Sequence, residues 1–211
     1  MITKITKSAT PAGYAIEVSR LPKGAHWNSL GSTAKRIAKS ECIAEQQGLC
    51  AYCYRSININ DSNIEHVKTK EKYPNLTFEY SNFVACCNSK NSCNLGRNSN
   101  NDLPVEPFDI AWEEFEVNYG GEILSTNNNL IKTFNQVNVF NGNSKLVAER
   151  HETISQQVRI AEGYIYKYKG TMKDSVLMEL IKACFYSEES EKYRNFGPFI
   201  EMHFKSRNLI D

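Results

Sequence analysis

The chain has 211 residues, a formal net charge of +1 at pH 7 and 41% hydrophobic residues. This length corresponds to one domain with appendages or to two small domains, and the apolar content suffices for at least one core. A protein that binds nucleic acid by charge alone would be more basic. Any nucleic-acid contact must therefore depend on a local basic patch or on a partner.

The sequence predicts neither a membrane span nor a secretory leader. No apolar run approaches the ~20 residues that a helix needs to cross a bilayer. Residues 1–7 lack the apolar stretch of a signal peptide. We therefore expect a cytoplasmic protein without membrane contact. Disulfides are rare in that compartment, and the seven cysteines are an odd number, so the clustered ones are better interpreted as metal ligands.

Turn residues and apolar periodicity divide the first half of the chain into two regions. Residues 1–32 are punctuated by Pro and Gly, which predicts an irregular N-terminal arm and a candidate segment for docking on a partner. Residues 33–110 begin with a helix over 33–47 and continue with two short strands on either side of residues 60–62. A charged loop over 68–76 and a return strand at 83–85 follow, and a short helix is expected to begin at 92.

The third region, residues 111–211, is predicted to contain a hairpin and two helices. It follows a linker at 102–107 that contains two prolines. Alternating apolar residues over 112–119, followed by two glycines, predict a β-hairpin with 123–124. Helical spacing predicts a long helix over 145–169 and a second over 174–186. The expected fold class is α+β with a helical C-terminal region.

Two cysteine clusters flank the middle of the chain. Cys50 and Cys53 form a Cys-x2-Cys pair, which places two thiolates on one tight turn as tetrahedral zinc requires. The second cluster contains Cys86, Cys87 and Cys93. Cys87 and Cys93 are farther apart than usual, and Cys86 competes with Cys87 as the third ligand. A structural metal site is predicted, in preference to unrelated buried thiols.

Between the cysteine clusters, Glu65 and His66 stand side by side. An imidazole with a pKa near neutrality can deprotonate a water molecule. A carboxylate, with an oxygen from an Asn, can hold a hard divalent cation that binds a phosphate oxygen. Taken alone, however, an adjacent Glu and His more commonly form a solvated strand end.

Basic residues follow the Glu-His pair. Lys68, Lys70 and Lys72 alternate directly after it, with Glu71 as the one acid among them, and Arg97 lies in a stretch without acids. Lys and Arg contact phosphates without a sequence code, so these four residues are candidate phosphate ligands. The alternative is a solvated charged loop.

Together these segments resemble the HNH endonucleases of the Septu anti-phage defence type, the PtuB-like nucleases that also occur beside some retrons. The resemblance covers most of the chain and is most specific over 46–97. It is carried by residues 46–53, 64–66, 72–76 and 82–87 and by the pair Cys93-Asn94. It implies a zinc-supported ββα-metal (HNH) nuclease core with flanking helices.

The resemblance also implies individual roles. His66 would be the general base, and Asn82 would hold the loop that orients it. Glu65 and Asn94 would bind a catalytic Mg²⁺ or Mn²⁺. Structural zinc would be held by Cys50, Cys53, Cys87 and Cys93. The chain departs from the family pattern by having Asn94 in place of His, Arg97 in place of Lys and Asn98 in place of Gly.

A partner follows from the same resemblance. Septu nucleases act with an ABC-type ATPase of the PtuA-like kind, and such a subunit would explain the near-neutral charge of this chain. Retron components are a further expected association. The expected substrate is nucleic acid, with DNA favoured over RNA. The alternative function is a non-catalytic, zinc-clamped module that binds nucleic acid or protein.

Overall fold

A computed structural model describes residues 4–93, 97, 102–168, 170, 173–189, 192–207 and 209–210. This part of the chain contains six α-helices and three two-stranded antiparallel sheets, which agrees with the predicted α+β class. Within these residues, no helix combines the length and apolarity required to cross a membrane. The division of the chain at residues 32 and 110 stays a prediction.

The N-terminal arm is more regular than predicted. It contains helix α1 (Ala12–Ser19) and a 3-10 turn at Trp27–Ser29. Pro11 precedes the helix, where its fixed φ does no harm, so the turn residues bound the helix instead of preventing it. Tyr14 is buried and donates a hydrogen bond from its hydroxyl to the carbonyl oxygen of Phe78 (2.9 Å). The arm is therefore packed on the central part of the chain.

The central region contains helix α2 (Ser32–Glu45) and strands β1 (Ser62–His66) and β2 (Phe83–Cys87). The predicted helix over 33–47 and the predicted return strand at 83–85 are both confirmed. The strands are antiparallel, in a register that places Ser62 opposite Cys87 and His66 opposite Phe83. Gln46, just after α2, donates to the carbonyl of Ala85 (2.7 Å) and accepts from its amide (2.7 Å). This two-way bond fixes the end of α2 against the middle of β2.

The strand predicted before residues 60–62 is absent from the described structure, so that prediction was wrong. Polar side chains satisfy the backbone there locally. Asp61 Oδ1 accepts from the amide of Asn58 (2.6 Å), and the Ser62 hydroxyl donates to the carbonyl of Asn58 (2.5 Å). Such local bonds compete with a strand ladder.

The C-terminal region confirms the hairpin and both predicted helices and adds two more. The hairpin consists of β3 (Phe115–Val117) and β4 (Ile123–Ser125). Helix α4 (Ser144–Tyr168) is the long helix, and α5 (Asp174–Lys182) ends four residues earlier than predicted. The unpredicted helices are α3 (Asn128–Gln136) and α6 (Gly197–Ser206), and a short pair, β5 (Tyr186–Ser187) and β6 (Lys192–Tyr193), lies between α5 and α6.

Arg150 joins the hairpin to helix α4. Its guanidinium is fully buried and donates to the carbonyls of Gly121 (2.6 Å) and Val139 (2.9 Å). Burial lowers the pKa of Arg150 to about 10, so the side chain remains charged at neutral pH. Gly121 has φ of +83°, and a Cβ there would lie 2.3 Å from the backbone oxygen of Val147. Only glycine allows the hairpin turn to lie this close to α4.

We therefore expect Gly121→Ala to lower the free energy of unfolding by about 2–4 kcal/mol, because both the backbone angle and the contact with α4 become strained. Gly120→Ala is the matched control, since a Cβ there would meet only the side-chain oxygen of Asn118, at 3.2 Å. Urea denaturation of both variants measures the difference. Equal stabilities would contradict this account of the turn.

Candidate metal centre and nuclease site

Four cysteine thiols converge where the turn after α2 meets the end of β2. Cys50 and Cys53 lie on that turn, Cys87 ends β2, and Cys93 follows on the next loop. The turn closes through a hydrogen bond from the Cys50 amide to the carbonyl of Arg55 (2.8 Å). The amide of Cys87 points at the Cys50 sulfur (3.3 Å), which holds the strand end against the turn.

The geometry of the cluster fits a tetrahedral metal. All four sulfur atoms lie within 4.8 Å of one another, with separations of 3.6 Å for Cys50–Cys93, 3.7 Å for Cys53–Cys87 and 3.6 Å for Cys87–Cys93. Four thiolates at the usual zinc–sulfur bond length of ~2.3 Å would be ~3.8 Å apart. A disulfide would need ~2.05 Å, and all four cysteines are free. The described residues therefore provide a donor set compatible with structural zinc.

The four thiols influence one another's titration. Burial raises the pKa of the Cys53 and Cys93 thiols. Hydrogen bonds from the thiols of Cys50, Cys53 and Cys93 instead hold the pKa of Cys87 far below its usual range. A bound metal would stabilise all four thiolates together.

The structure separates the adjacent candidates Cys86 and Cys87. Neighbouring residues of a strand point to opposite faces. Cys87 is in the four-thiol cluster, whereas the Cys86 thiol lies 3.8 Å from the carbonyl of Asn63 on the paired strand β1. This agrees with the choice of Cys87 made from the sequence pattern, although zinc binding itself stays a prediction.

We expect Cys87→Ser to lose most of its bound zinc and to unfold at a lower temperature than the parent protein, because structural zinc contributes directly to folding. Cys86→Ser is the control, and we expect it to keep full zinc content. Elemental mass spectrometry of the purified proteins gives the metal per chain. Zinc loss from the Cys86 variant alone would show that the wrong cysteine has been assigned.

His66 lies at the end of β1 with a defined tautomer. Its Nε2 is 3.0 Å from the carbonyl oxygen of Thr77. Because a carbonyl can only accept, Nε2 must carry the proton, which leaves Nδ1 with a lone pair. Burial lowers the pKa of His66 to about 4, so the ring is neutral at pH 7. The Nδ1 lone pair is therefore available at pH 7, but the lowered pKa makes the ring a weaker base than the near-neutral imidazole expected from the sequence.

Two aromatic side chains pack against the His66 imidazole in T-shaped contacts. The ring centroids of Trp27 and Phe83 lie 4.7 Å and 4.9 Å from it, both in T-shaped geometry. Trp27 was not predicted as a site residue, since it belongs to the arm that looked irregular. No local signal marks its contact with His66, which arises only because the arm folds back over β1.

Asn82 fixes the loop between the two strands. Its side-chain oxygen accepts from the Lys68 amide (2.8 Å), and its side-chain nitrogen donates to the carbonyls of Lys68 (2.9 Å) and Leu76 (3.3 Å). These bonds close both ends of the loop that also carries Thr77, the partner of His66. The contacts are those a loop-holding role requires, while the catalytic consequence stays a prediction.

Asn82→Ala should therefore loosen the loop. We expect faster hydrogen exchange across residues 68–77, because three hydrogen bonds to that loop are lost. Asn75→Ala, which alters an exposed side chain of the same loop, is the control. Peptide-level hydrogen–deuterium exchange compares the two variants. Unchanged exchange in Asn82→Ala would contradict the role assigned to this residue.

Glu65 is buried beside Arg97. Arg97 Nη1 donates to Glu65 Oε1 (2.8 Å), and the same guanidinium donates to the carbonyls of His66 (3.2 Å) and Val67 (2.8 Å). Burial raises the pKa of Glu65, and Arg97 opposes that shift. Arg97 is thus turned inward, toward the strand end. Its predicted phosphate contact is untested, and Asn94, the other predicted metal ligand, lies outside the described residues.

The three loop lysines differ in their surroundings. Lys68 pairs with Glu106 and Lys72 with Asp102, each at 2.7 Å. Lys70 is half-buried and lines a cleft beside Trp27. Two of the four predicted phosphate ligands, Lys68 and Lys72, are therefore already paired with acids of the linker.

The described part contains both strands expected of a ββα-metal core. The helix predicted to begin at 92 falls mainly on residues outside it. The described residues thus combine a neutral, oriented imidazole at the end of β1 with a four-thiol cluster at the end of β2.

Comparison with family models of known proteins gave no match. The chain is, however, similar to a protein of Vibrio cholerae serotype O1 biovar El Tor described as "Retron Vc95 putative HNH endonuclease". The two are 32% identical over 79 residues, which cover 35% of this chain and 38% of that protein. The chain therefore matches less than half the length of this relative. The similarity supports the HNH endonuclease family as the class of this protein.

Proposed function

We propose that the protein is a metal-dependent HNH endonuclease that hydrolyses phosphodiester bonds of nucleic acid. The observation that carries the proposal is His66, a neutral imidazole with its tautomer fixed by Thr77, directly beside Glu65 on a strand braced by the thiol cluster. In the proposed mechanism, His66 at the strand end is the general base and Glu65 is a ligand of the catalytic metal.

In this mechanism His66 Nδ1 removes the proton from the attacking water. The bond from Nε2 to Thr77 keeps Nδ1 oriented, and Asn82 keeps the loop that bears Thr77 in place. Trp27 and Phe83 exclude water from the ring faces and so keep the imidazole neutral. A divalent cation, Mg²⁺ or Mn²⁺, held by Glu65 and Asn94, would neutralise the charge that develops on the phosphate. Glu65 offers a second oxygen, Oε2, besides the one bonded to Arg97.

The four cysteines have a structural role in this proposal. Zinc held by Cys50, Cys53, Cys87 and Cys93 would clamp the turn after α2 to the end of β2, because binding energy at such a site is folding energy. The support is the sulfur geometry described above.

The biological setting is proposed from resemblance. The relative is described as a retron HNH endonuclease, and residues 46–97 resemble the Septu type in sequence pattern. We propose that this chain likewise acts in anti-phage defence with an ABC-type ATPase subunit, in company with retron components. DNA is the proposed substrate ahead of RNA, since the HNH pattern is chiefly associated with DNA cleavage.

His66→Ala should lower the cleavage rate by about 10²–10⁴-fold, the usual contribution of a general base. Zinc content should remain close to that of the parent protein, and circular dichroism checks that the variant is folded, because removal of a buried ring lowers stability. His151→Ala, on the exposed surface of α4, is the control and should cleave normally. The assay follows plasmid DNA and a single-stranded RNA in Mg²⁺ and in Mn²⁺. Equal cleavage by the parent and the His66 variant would exclude the mechanism.

One observation favours a second candidate, the non-catalytic zinc-clamped binding module. The pairing of Glu65 with Arg97 is what a structural ion pair would show. The same assay decides between them, because a binding module would retain nucleic acid or protein without cleaving any substrate.

A further inference from the structure

An open groove lies between helix α2 and the outer side of strand β1. Its volume is about 510 Å³, too large for a single ion, and it is lined by Trp27, Lys35, Arg36, Lys39, Asn63 and Ile64. None of these residues belongs to the sites assigned above except Trp27. The groove contains three cations and no carboxylate among its walls.

The three cations lie on one face of α2. Lys39 lies four residues after Lys35 and three after Arg36, so the three side chains are neighbours on the helix surface and line one groove. The buried residues Ala34, Ala38, Cys42 and Ile43 pack the helix on the core. The cationic face is therefore fixed in orientation by the packing of α2 on the core.

The surroundings of the three cations leave their charge largely uncompensated among the described residues. Arg36 is exposed, Lys35 lies 5.2 Å from the Trp27 ring centroid, and Lys39 Nζ donates to the carbonyl of Ser62 (2.8 Å). Within the part of the chain that the structure describes, none of the three forms an ion pair. The nearby carboxylate of Asp61 is bonded to the amide and side chain of Asn58. This contrasts with Lys68 and Lys72, which both pair with acids.

One residue, Trp27, contacts both the groove and the imidazole of His66, the proposed general base. Trp27 forms part of the groove wall, receives Lys35 over its ring, and meets His66 edge-on at 4.7 Å. Asn63 and Ile64 continue the wall along β1 and directly precede Glu65. A chain of phosphates lying in the groove would therefore lead into the proposed active site.

We infer that this α2 groove binds the phosphodiester backbone of the nucleic acid beside the phosphate that is cleaved. The inference rests on the proposed nuclease function. Three uncompensated cations next to an aromatic wall match a phosphate backbone with adjacent sugars and bases. DNA and RNA share the backbone chemistry that the groove would recognise, so the experiment includes both.

The test is a triple variant, Lys35→Gln/Arg36→Gln/Lys39→Gln, made in the His66→Ala background so that substrate stays intact. Binding of a labelled DNA duplex, the matching single strand and the matching RNA is measured over a range of salt concentrations. We expect at least about tenfold weaker binding at low salt, with the slope of log K against log salt reduced by roughly 2–3 for duplex DNA. The control, Lys132→Gln/Arg159→Gln/Lys167→Gln, removes the same charge from exposed positions of α3 and α4 and should leave the slope unchanged.

Folding and function are checked separately. Zinc content and thermal unfolding are measured for both triple variants. The single variant Arg36→Gln, whose side chain forms no hydrogen bond or ion pair with the described residues, should reduce the slope by about 1. With His66 restored, the groove variant should cleave with a raised KM. An unchanged salt slope in a folded groove variant that still cleaves would overturn this inference and leave the nuclease proposal intact.

Two other results would also overturn the inference. If the groove variant lost binding to poly-glutamate while its affinity for nucleic acid stayed the same, the groove would be a site for an acidic protein. If the parent chain neither bound nor cleaved nucleic acid, the proposed function and the inference would fall together.

Discussion

The junction at which four buried thiols meet places the turn after α2 against the end of β2, and the geometry of the site follows from it. The hydrogen bond from the Cys87 amide to the Cys50 sulfur and the two-way bond between Gln46 and Ala85 fix β2 on the helix. The register of β2 then sets β1, so that His66 lies opposite Phe83. A two-stranded sheet of five-residue strands has little stability by itself. The thiol cluster and α2 supply the support that additional strands provide in larger sheets.

The imidazole at the end of this sheet depends on parts of the chain that are distant in sequence. Thr77 fixes its tautomer, Phe83 supports it from β2, and Trp27 reaches it from the N-terminal arm. The same contacts that orient His66 also bury it, and burial lowers its pKa. Orientation and basicity are thus coupled, because loosening the aromatic contacts would admit water and favour the charged form. The arm is therefore part of the structure of the site, whatever else it contacts.

Much of this arrangement was predictable because its signals are local. The Cys-x2-Cys turn, the helix before it, the hairpin with Gly120 and Gly121 and the long helix follow from spacing and turn chemistry. Helix α1 was missed because the prolines and glycines that bound it resemble those of a loop. Helix α3 had one local signal, the cap at Asn127, whose side chain accepts from two amides of the first turn. The contacts of Trp27 with His66 and of Arg97 with Glu65 depend on tertiary packing, which no spacing in the sequence encodes.

The Glu65–Arg97 pair bears on both proposed functions, because a structural ion pair and a carboxylate held in place for a cation would both show this contact. Burial raises the pKa of Glu65, and the Arg97 guanidinium opposes that rise. Arg97 Nη1 donates to Oε1 of the carboxylate. An ion pair formed for stability alone would gain little from burial, because desolvation offsets most of the attraction. In the proposed nuclease, Glu65 would hold the cation with its other oxygen, and Arg97 would keep the carboxylate in place at the strand end.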